Sequence, residues 1–388
     1  MGRPLAGLLL AALLFSELLA AAPAAAAEIE VLRLPEPAIK PRAEMGADGT
    51  LHVVVYRGAL KQGNLFYLRR PPGEHAFSKP VPITRGRGTA NGRGPIASPH
   101  IALGRDDRIH VVYPGSELAR PLGPYDNPGI FYTRLDDRGT AFEPPRNVRL
   151  RTRGGNWGGQ SIAADASGNV WVSFYGVDAP RGTEPEARMF IAHSADDGRT
   201  FGPESPARDE VLGACYCCAM KALATPEGRL MLFYRAAGQG RHRDMHLFDS
   251  PDGGASFADL LMDRWEFVGC PETGGTLALT HGAPLAVWEA EKMQLKFARV
   301  PEPGREPEVT ALKGTGLPRY PVAATNREGE TLIAWVEGVS AMRGGDVVWQ
   351  LLDRAGRPVG EPERRAGVKP NSLVAVVAEP DGSFLVIL

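Results

Sequence analysis

One shape recurs along this chain and limits what it can fold into. A short apolar strand leads through a turn of Gly, Asp or Asn into a second strand rich in Val, Leu and aromatic residues. It runs from Ser98-Pro99-His100-Ile101-Ala102 to Ile109-His110-Val111-Val112-Tyr113. It runs again from Gln160-Ser161-Ile162-Ala163-Ala164, past Gly168, to Val170-Trp171-Val172-Ser173-Phe174-Tyr175. The shape returns at 218–234 around Gly228 and at 320–336 around Gly329. Weaker copies lie at 42–56 around Gly49, at 274–288 around Gly282 and at 372–388 around Gly382. Each copy is a β-hairpin signal. From Gly168 onward the turn glycines lie 47 to 60 residues apart.

A second hairpin follows each of the first six copies, as at Ile130-Phe131-Tyr132-Thr133-Arg134 and Met189-Phe190-Ile191-Ala192-His193. Four strands per repeat of about 50 residues is the pattern of a β-propeller blade. A plain β-sandwich would not keep a constant period. The expected fold is therefore all-β, a propeller of six or seven four-stranded blades, with seven favoured by the count of inner hairpins. The last copy stops at the chain end, so its outer strand must come from elsewhere. Residues 28–34 (EIEVLRL) are the natural donor and would close the ring.

Composition agrees. Gly (46) and Pro (34) make up about a fifth of the 388 residues, against roughly 12% in ordinary chains, which argues against a long helical protein. A net charge of −1 leaves no electrostatic footprint for nucleic acid. Residues 1–27 read as a secretory signal: Arg3, an apolar run from Leu5 to Phe15, and a small-residue tail ending Ala25-Ala26-Ala27. Glu17 interrupts the run, which is short for a membrane span of about 20 residues. Residues 28–388 are then one propeller domain, secreted or periplasmic, with no membrane span after cleavage. The P-loop, the His-Glu zinc helix and the Gly-x-Ser-x-Gly elbow are absent.

Two turns carry a family resemblance. Ser194-Ala195-Asp196-Asp197-Gly198-Arg199-Thr200-Phe201 and Ser250-Pro251-Asp252-Gly253-Gly254-Ala255-Ser256-Phe257 both follow S-x-D-x-G-x-[ST]-[FW]. They resemble the Asp box of sialidase-like propellers. Eroded versions stand at 136–142 and 74–77. In such a turn the Asp accepts backbone N–H bonds, Gly supplies an unusual backbone angle, and the aromatic packs between blades. The resemblance implies a structural role for Ser194, Asp196, Gly198, Thr200, Phe201, Ser250, Asp252, Gly254, Ser256 and Phe257, on the face away from the functional site. The chain also looks like exported bacterial Asp-box proteins sharing a Cys-x-Cys-Cys run, a Tyr-Arg strand end and a Gly-Cys-Pro turn. Here these are Cys215-Tyr216-Cys217-Cys218, Tyr234-Arg235 and Gly269-Cys270-Pro271.

Strand direction sorts the loops of a propeller. Residues just before a first strand, or just after a second, converge on one mouth of the central channel. That ring holds Arg42, His100, Gln160, Glu272, Arg319, Tyr320, Asn371, Asp178, Arg235, Arg243, Asp244, Glu289 and Glu337. Propeller mouths commonly take small ligands. The sialidase resemblance implies an Arg clamp on a sugar carboxylate, for which Arg42, Arg235 and Arg319 are the candidates. It also implies a Tyr–Glu pair, from Tyr320 or Tyr175 with Glu272 or Glu289. The family's [Phe/Tyr]-Arg-Ile-Pro motif is missing. The leading expectation is binding of a small molecule or glycan. The alternatives are a sialidase or another glycoside hydrolase, or a soft-metal or protein-interaction scaffold; no protein partner is named by the sequence.

Cys215, Cys217, Cys218 and Cys270 should cluster at the same mouth, because Cys218 and Cys270 hold equivalent places in neighbouring blades. Two disulfides are one reading, with Cys217 or Cys218 joined to Cys270 across blades four and five. The other is a copper or zinc site, with Met220 and a nitrogen from His100 or His281 as further ligands. No cofactor is otherwise required.

Overall fold

Strand pairing divides the chain into seven sheets. The structure, a computed structural model, describes residues 27–94, 96–154, 159–239, 241–272, 274–291, 294–302, 304–312 and 316–388. The secretory signal read at 1–27 lies outside the described residues but for Ala27.

Six sheets have four antiparallel strands each. Blade one is β2 (Ile39–Met45), β3 (Leu51–Ala59), β4 (Gln62–Arg70) and β5 (Val81–Pro82). Blade two is β6 (His100–Leu103), β7 (Ile109–Pro114), β8 (Ile130–Arg134) and β9 (Arg146–Asn147). Blade three is β10 (Gln160–Ala164), β11 (Val170–Gly176), β12 (Arg188–Ser194) and β13 (Ser205–Pro206). Blade four is β14 (Lys221–Ala224), β15 (Leu230–Arg235), β16 (Met245–Ser250) and β17 (Ala258–Asp263). Blade five is β18 (Gly275–Ala278), β19 (Leu285–Glu289), β20 (Leu295–Arg299) and β21 (Thr310–Ala311). Blade six is β22 (Pro318–Thr325), β23 (Thr331–Glu337), β24 (Gly345–Leu352) and β25 (Pro358–Val368). Among the described residues the only helical segments are short 3₁₀ turns, and no helix is long and apolar enough to cross a membrane.

Blade seven differs. Its β26 (Ala375–Ala378) and β27 (Phe384–Ile387) form the last hairpin, and β1 (Ile29–Leu32) adds to β27 in parallel, Ile29 facing Phe384 and Leu32 facing Ile387. The N-terminal strand closes the ring as expected. It is the third strand of a three-stranded sheet, one short of the four expected.

The second strands read as nearly continuous apolar runs because they are buried on both faces. In β3, Val53 and Val55 enter the cluster between blades seven and one, while Val54 and Tyr56 enter the cluster between blades one and two. In β15, Met231 and Phe233 face blade five, and Leu230, Leu232 and Tyr234 face blade three. Each pair of neighbouring blades encloses such a cluster. Burying each large apolar side chain stabilises by about 1.5–3 kcal/mol.

The turns at 194–201 and 250–257 make the local hydrogen bonds expected of them. Asp196 Oδ1 accepts Ser194 Oγ–H (2.7 Å) and Thr200 N–H (2.8 Å), and Oδ2 accepts Thr200 Oγ1–H (2.6 Å). Asp252 repeats this with Ser250 (2.7 Å) and Ser256 (2.9 and 2.6 Å). Phe201 packs edge-on against Tyr132 of blade two at 4.6 Å, and Phe257 enters the cluster between blades three and four. Gly198 has φ +75, and a Cβ there would meet Tyr132 Oη at 1.7 Å. Asp197 N–H donates to Gly168 O in the β10–β11 turn (2.8 Å), which sets this box at the end of the blade away from the channel mouth. Of the eroded copies, Asp136 still accepts Thr140 N–H (2.8 Å), whereas ahead of 74–77 the chain turns at 71–74, with Glu74 N–H donating to Pro71 O (3.1 Å). Asp353, unforeseen, plays the same part in blade six by accepting Arg357 N–H (2.9 Å).

Candidate functional site

The first strands enclose a channel of about 340 Å³. It runs from Arg42, His100 and Tyr320 at one end to Met45, Leu279 and Thr325 at the other. Its ionisable lining is Arg42, Glu44, His100, Lys221 and Tyr320. Arg42 and Glu44 share one face of β2 because strand side chains alternate. Arg42 donates from Nη2 to Ser98 Oγ (2.9 Å) and from Nε to Pro99 O (3.3 Å).

These groups feel one another. Burial brings Arg42 down to about 10. Burial and then Arg42 lower Lys221, with Glu44 opposing, and burial raises Glu44 against the pull of Lys221. Burial, Arg42 and Lys221 together hold His100 far below its ordinary value, so it is neutral. Two cations thus face one carboxylate in an enclosed space. His100 Nε2 is buried there without a hydrogen-bond partner among the described residues.

Backbone strain marks the mouth. Lys40 and Tyr320 have φ of 55° and 54°, in the left-handed region that side chains rarely adopt. Both stand before a Pro at a bulge in the first strand, where the register shifts between Ile39 and Arg42 and between Arg319 and Val322. Lys40 is buried, its ammonium donating to Gly92 O (2.8 Å), Ala97 O (2.9 Å) and Gly94 O, so it ties these three residues over the start of blade one.

Glu289 is the second centre. Its Oε1 accepts Gly274 N–H (2.8 Å) and Tyr320 N–H (2.7 Å), and its Oε2 pairs with Arg319 Nε at 3.0 Å. Burial raises its pKa, while Arg319 and the two N–H groups oppose the rise. Arg319 also donates to Pro271 O (3.2 Å), Glu272 O and Tyr320 Oη (3.3 Å). Burial pushes the Tyr320 phenol up.

The remaining candidates separate into groups. Arg235 does not join Arg42 and Arg319 as a clamp. It is 1% exposed, donates to the carbonyls of Arg243 and Glu289, and lies over the Trp265 ring at 4.8 Å. Arg243 donates to Gly269 O (2.7 and 3.0 Å) and pairs with Glu184 (3.1 Å), and Asp244 accepts Trp265 N–H (2.8 Å). Glu337 is buried, accepting Trp335 Nε1–H (3.0 Å) and Arg364. Asp178 and Glu272 are exposed. Gln160 donates to Ser98 O (2.8 Å) and Asn371 to Gly92 O (3.2 Å); Gln160 Oε1 and Asn371 Oδ1 have no partner among the described residues. Tyr175 is buried with its hydroxyl likewise unpartnered.

Cys217 and Cys270 are joined, tying blade four to the entry of blade five. Cys215 Sγ lies 2.7 Å from Cys218 Sγ and 3.4 Å from Cys217 Sγ. The three sulfurs at 215, 217 and 218 are close enough for one ion, and no other such group of three occurs among the described residues. His281 is exposed in the β18–β19 turn, at the far end of the blade, which removes it as a ligand.

Sequence reasoning missed Glu44, Lys221, Lys40 and Glu184. Glu44 was legible as the residue two beyond Arg42 on one strand. Lys221 and Glu184 reach their places only through the ring.

No protein-family model matches the chain, and no curated protein sequence does. Solved structures do. A protein of unknown function from Dyadobacter fermentans is 17% identical, with a TM-score of 0.53 over 81% of this chain and 94% of its own. A fungal alcohol oxidase of the AA5 family, in complex with copper, is 14% identical, with a TM-score of 0.50 over 89% and 68%. The Penicillium chrysogenum α-L-arabinanase complexed with arabinobiose is 13% identical, with a TM-score of 0.50 over 83% and 95%. The likeness is one of architecture, and the fold is a seven-bladed β-propeller.

Proposed function

We propose that this protein, exported from the cell, binds a small acidic sugar or similar carboxylate in the central channel without cleaving it. One observation carries the reading: Arg42 and Lys221 share the enclosed channel with a single carboxylate, Glu44, beside the unpartnered His100 Nε2. An enclosed cationic excess favours an anion, and a guanidinium suits a carboxylate. The arabinobiose on the similar arabinanase supports sugar as the class. The disulfide supports an oxidising compartment.

Hydrolysis of a glycoside needs two carboxyl groups flanking the scissile bond. Glu44 is the one carboxylate among the described channel-lining residues. Glu289 is taken up by two N–H groups and Arg319.

Calorimetric titration with neutral and acidic mono- and disaccharides tests the reading. Acidic sugars should bind, and Arg42→Gln or Lys221→Met should weaken them about 10- to 100-fold, the worth of one charged hydrogen bond. Equal affinity for neutral sugars, or indifference to both substitutions, would overturn it. Product release from a fluorogenic sialoside or arabinofuranoside would replace binding with catalysis.

A further inference from the structure

The four cysteines are graded in exposure. Cys270 is exposed, Cys217 is half-buried, and Cys215 and Cys218 are fully buried. The Cys217–Cys270 bond therefore faces solvent on one side, while Cys217 lies 3.4 Å from the buried Cys215 sulfur and Cys215 lies 2.7 Å from Cys218. The backbone holds the buried pair in register. Cys218 N–H donates to Cys215 O (3.1 Å), Cys215 N–H to Arg235 O (3.0 Å), and Tyr216 N–H to Glu184 Oε1 (2.8 Å). The four sulfurs form a continuous file from solvent to core.

We propose that these cysteines are a thiol–disulfide exchange centre, in which one disulfide moves between the outer pair Cys217–Cys270 and the buried pair Cys215–Cys218. The Cys215 sulfur gives up its proton, attacks the Cys217 sulfur and displaces the Cys270 sulfur, which takes up a proton. The Cys218 sulfur then gives up its proton, attacks Cys215 and displaces Cys217, which is protonated in turn. Each step breaks one S–S bond and forms one. Two protons pass from the buried pair to the outer pair, and no outside oxidant is consumed. The outer pair, left as thiols, then meets solvent, where a small disulfide or a protein disulfide can exchange with it.

Exchange also bears on the channel mouth. The Cys270 turn supplies Gly269 O to Arg243 and the carbonyls of Pro271 and Glu272 to Arg319. With the disulfide on the buried pair, those hydrogen bonds still hold the turn, but its loop from blade five loses its covalent tie to blade four. The inference stands on the cysteine geometry and does not depend on what the channel binds.

The test uses the whole exported chain, purified without chelator and equilibrated in glutathione buffers of graded ratio. Samples are acid-quenched, alkylated with N-ethylmaleimide and mapped by mass spectrometry. Chains carrying a single disulfide should show it at both 217–270 and 215–218. In Cys218→Ser the exchange should stop after its first step, so single-disulfide chains alkylated at Cys270 should carry the 215–217 bond, with the far-UV circular dichroism of the wild type retained. Single-disulfide chains with only one pairing at every ratio would overturn the proposal. So would stoichiometric zinc or copper in the purified protein with Cys215 and Cys218 protected from alkylation. The wild-type map decides the matter even if Cys218→Ser does not fold.

Discussion

The Asp197 carboxylate is 2% exposed and stands where blades two and three meet. It pairs with Arg134 at 2.8 Å and Arg108 at 3.1 Å, and lies 3.5 Å from His110 Nε2. Burial alone would raise its pKa, but His110, Arg108 and Arg134 bring it below the ordinary value. Removing the charge takes the buried partner from Arg134 and Arg108, which keep only the more exposed Glu143 (2.7 Å) and Asp137 (2.9 Å). Asp197→Asn should cost about 3–5 kcal/mol in urea unfolding, whereas Asp178→Asn on the surface should stay within about 0.5 kcal/mol. The motif made Asp196 legible, because its partners lie within four residues. Asp197, its neighbour, reads as filler, because its partners come from β7, β8 and the turn before β7. Arg235 shows the converse: the strand end places it at the mouth, and only the packed ring shows its guanidinium buried among carbonyls.

At the scale of elements, closure rests on four residues. The strand Ile29–Leu32 supplies the edge that β27 pairs with in parallel, and Leu34 N–H adds a bond to Leu388 O (3.0 Å). Without it, β27 presents an open edge, a template for pairing with another chain. Deletion of residues 28–34 should move the protein into aggregates in size-exclusion chromatography, and an unchanged elution profile with unchanged thermal stability would refute the closing role. The donor strand was legible because the last repeat ends after two strands. Its parallel direction was not, since direction depends on where the ring brings residue 28 relative to residue 384.

For the whole molecule, acid should unfold the ring in two stages. His52, His100, His110 and His193 are all lowered by burial, so the fold keeps them less protonated than the unfolded chain does. Below about pH 6.5 the unfolded state binds more protons, and stability falls with pH. The second stage belongs to the Asp boxes. For Asp196, burial opposes the charge but the Thr200 and Ser194 bonds outweigh it; for Asp252, Ser250 and Ser256 dominate. Both stand at about 2. Their contribution is complete above about pH 3.9 and is lost as pH falls toward 2. Melting temperature against pH should show both windows, and His100→Gln should shrink the first while leaving the second.

By itself the sequence determined the repeat, the blade hairpins, the closing strand and the Asp-box turns. These depend on alternation, turn chemistry and partners a few residues away, which are local. Only the tertiary structure decided which polar residues share the channel, since Arg42, His100 and Lys221 come from blades one, two and four. It also decided which cysteine reaches Cys270, because Cys215, Cys217 and Cys218 are near-equivalent in sequence and differ in which way one turn aims each sulfur.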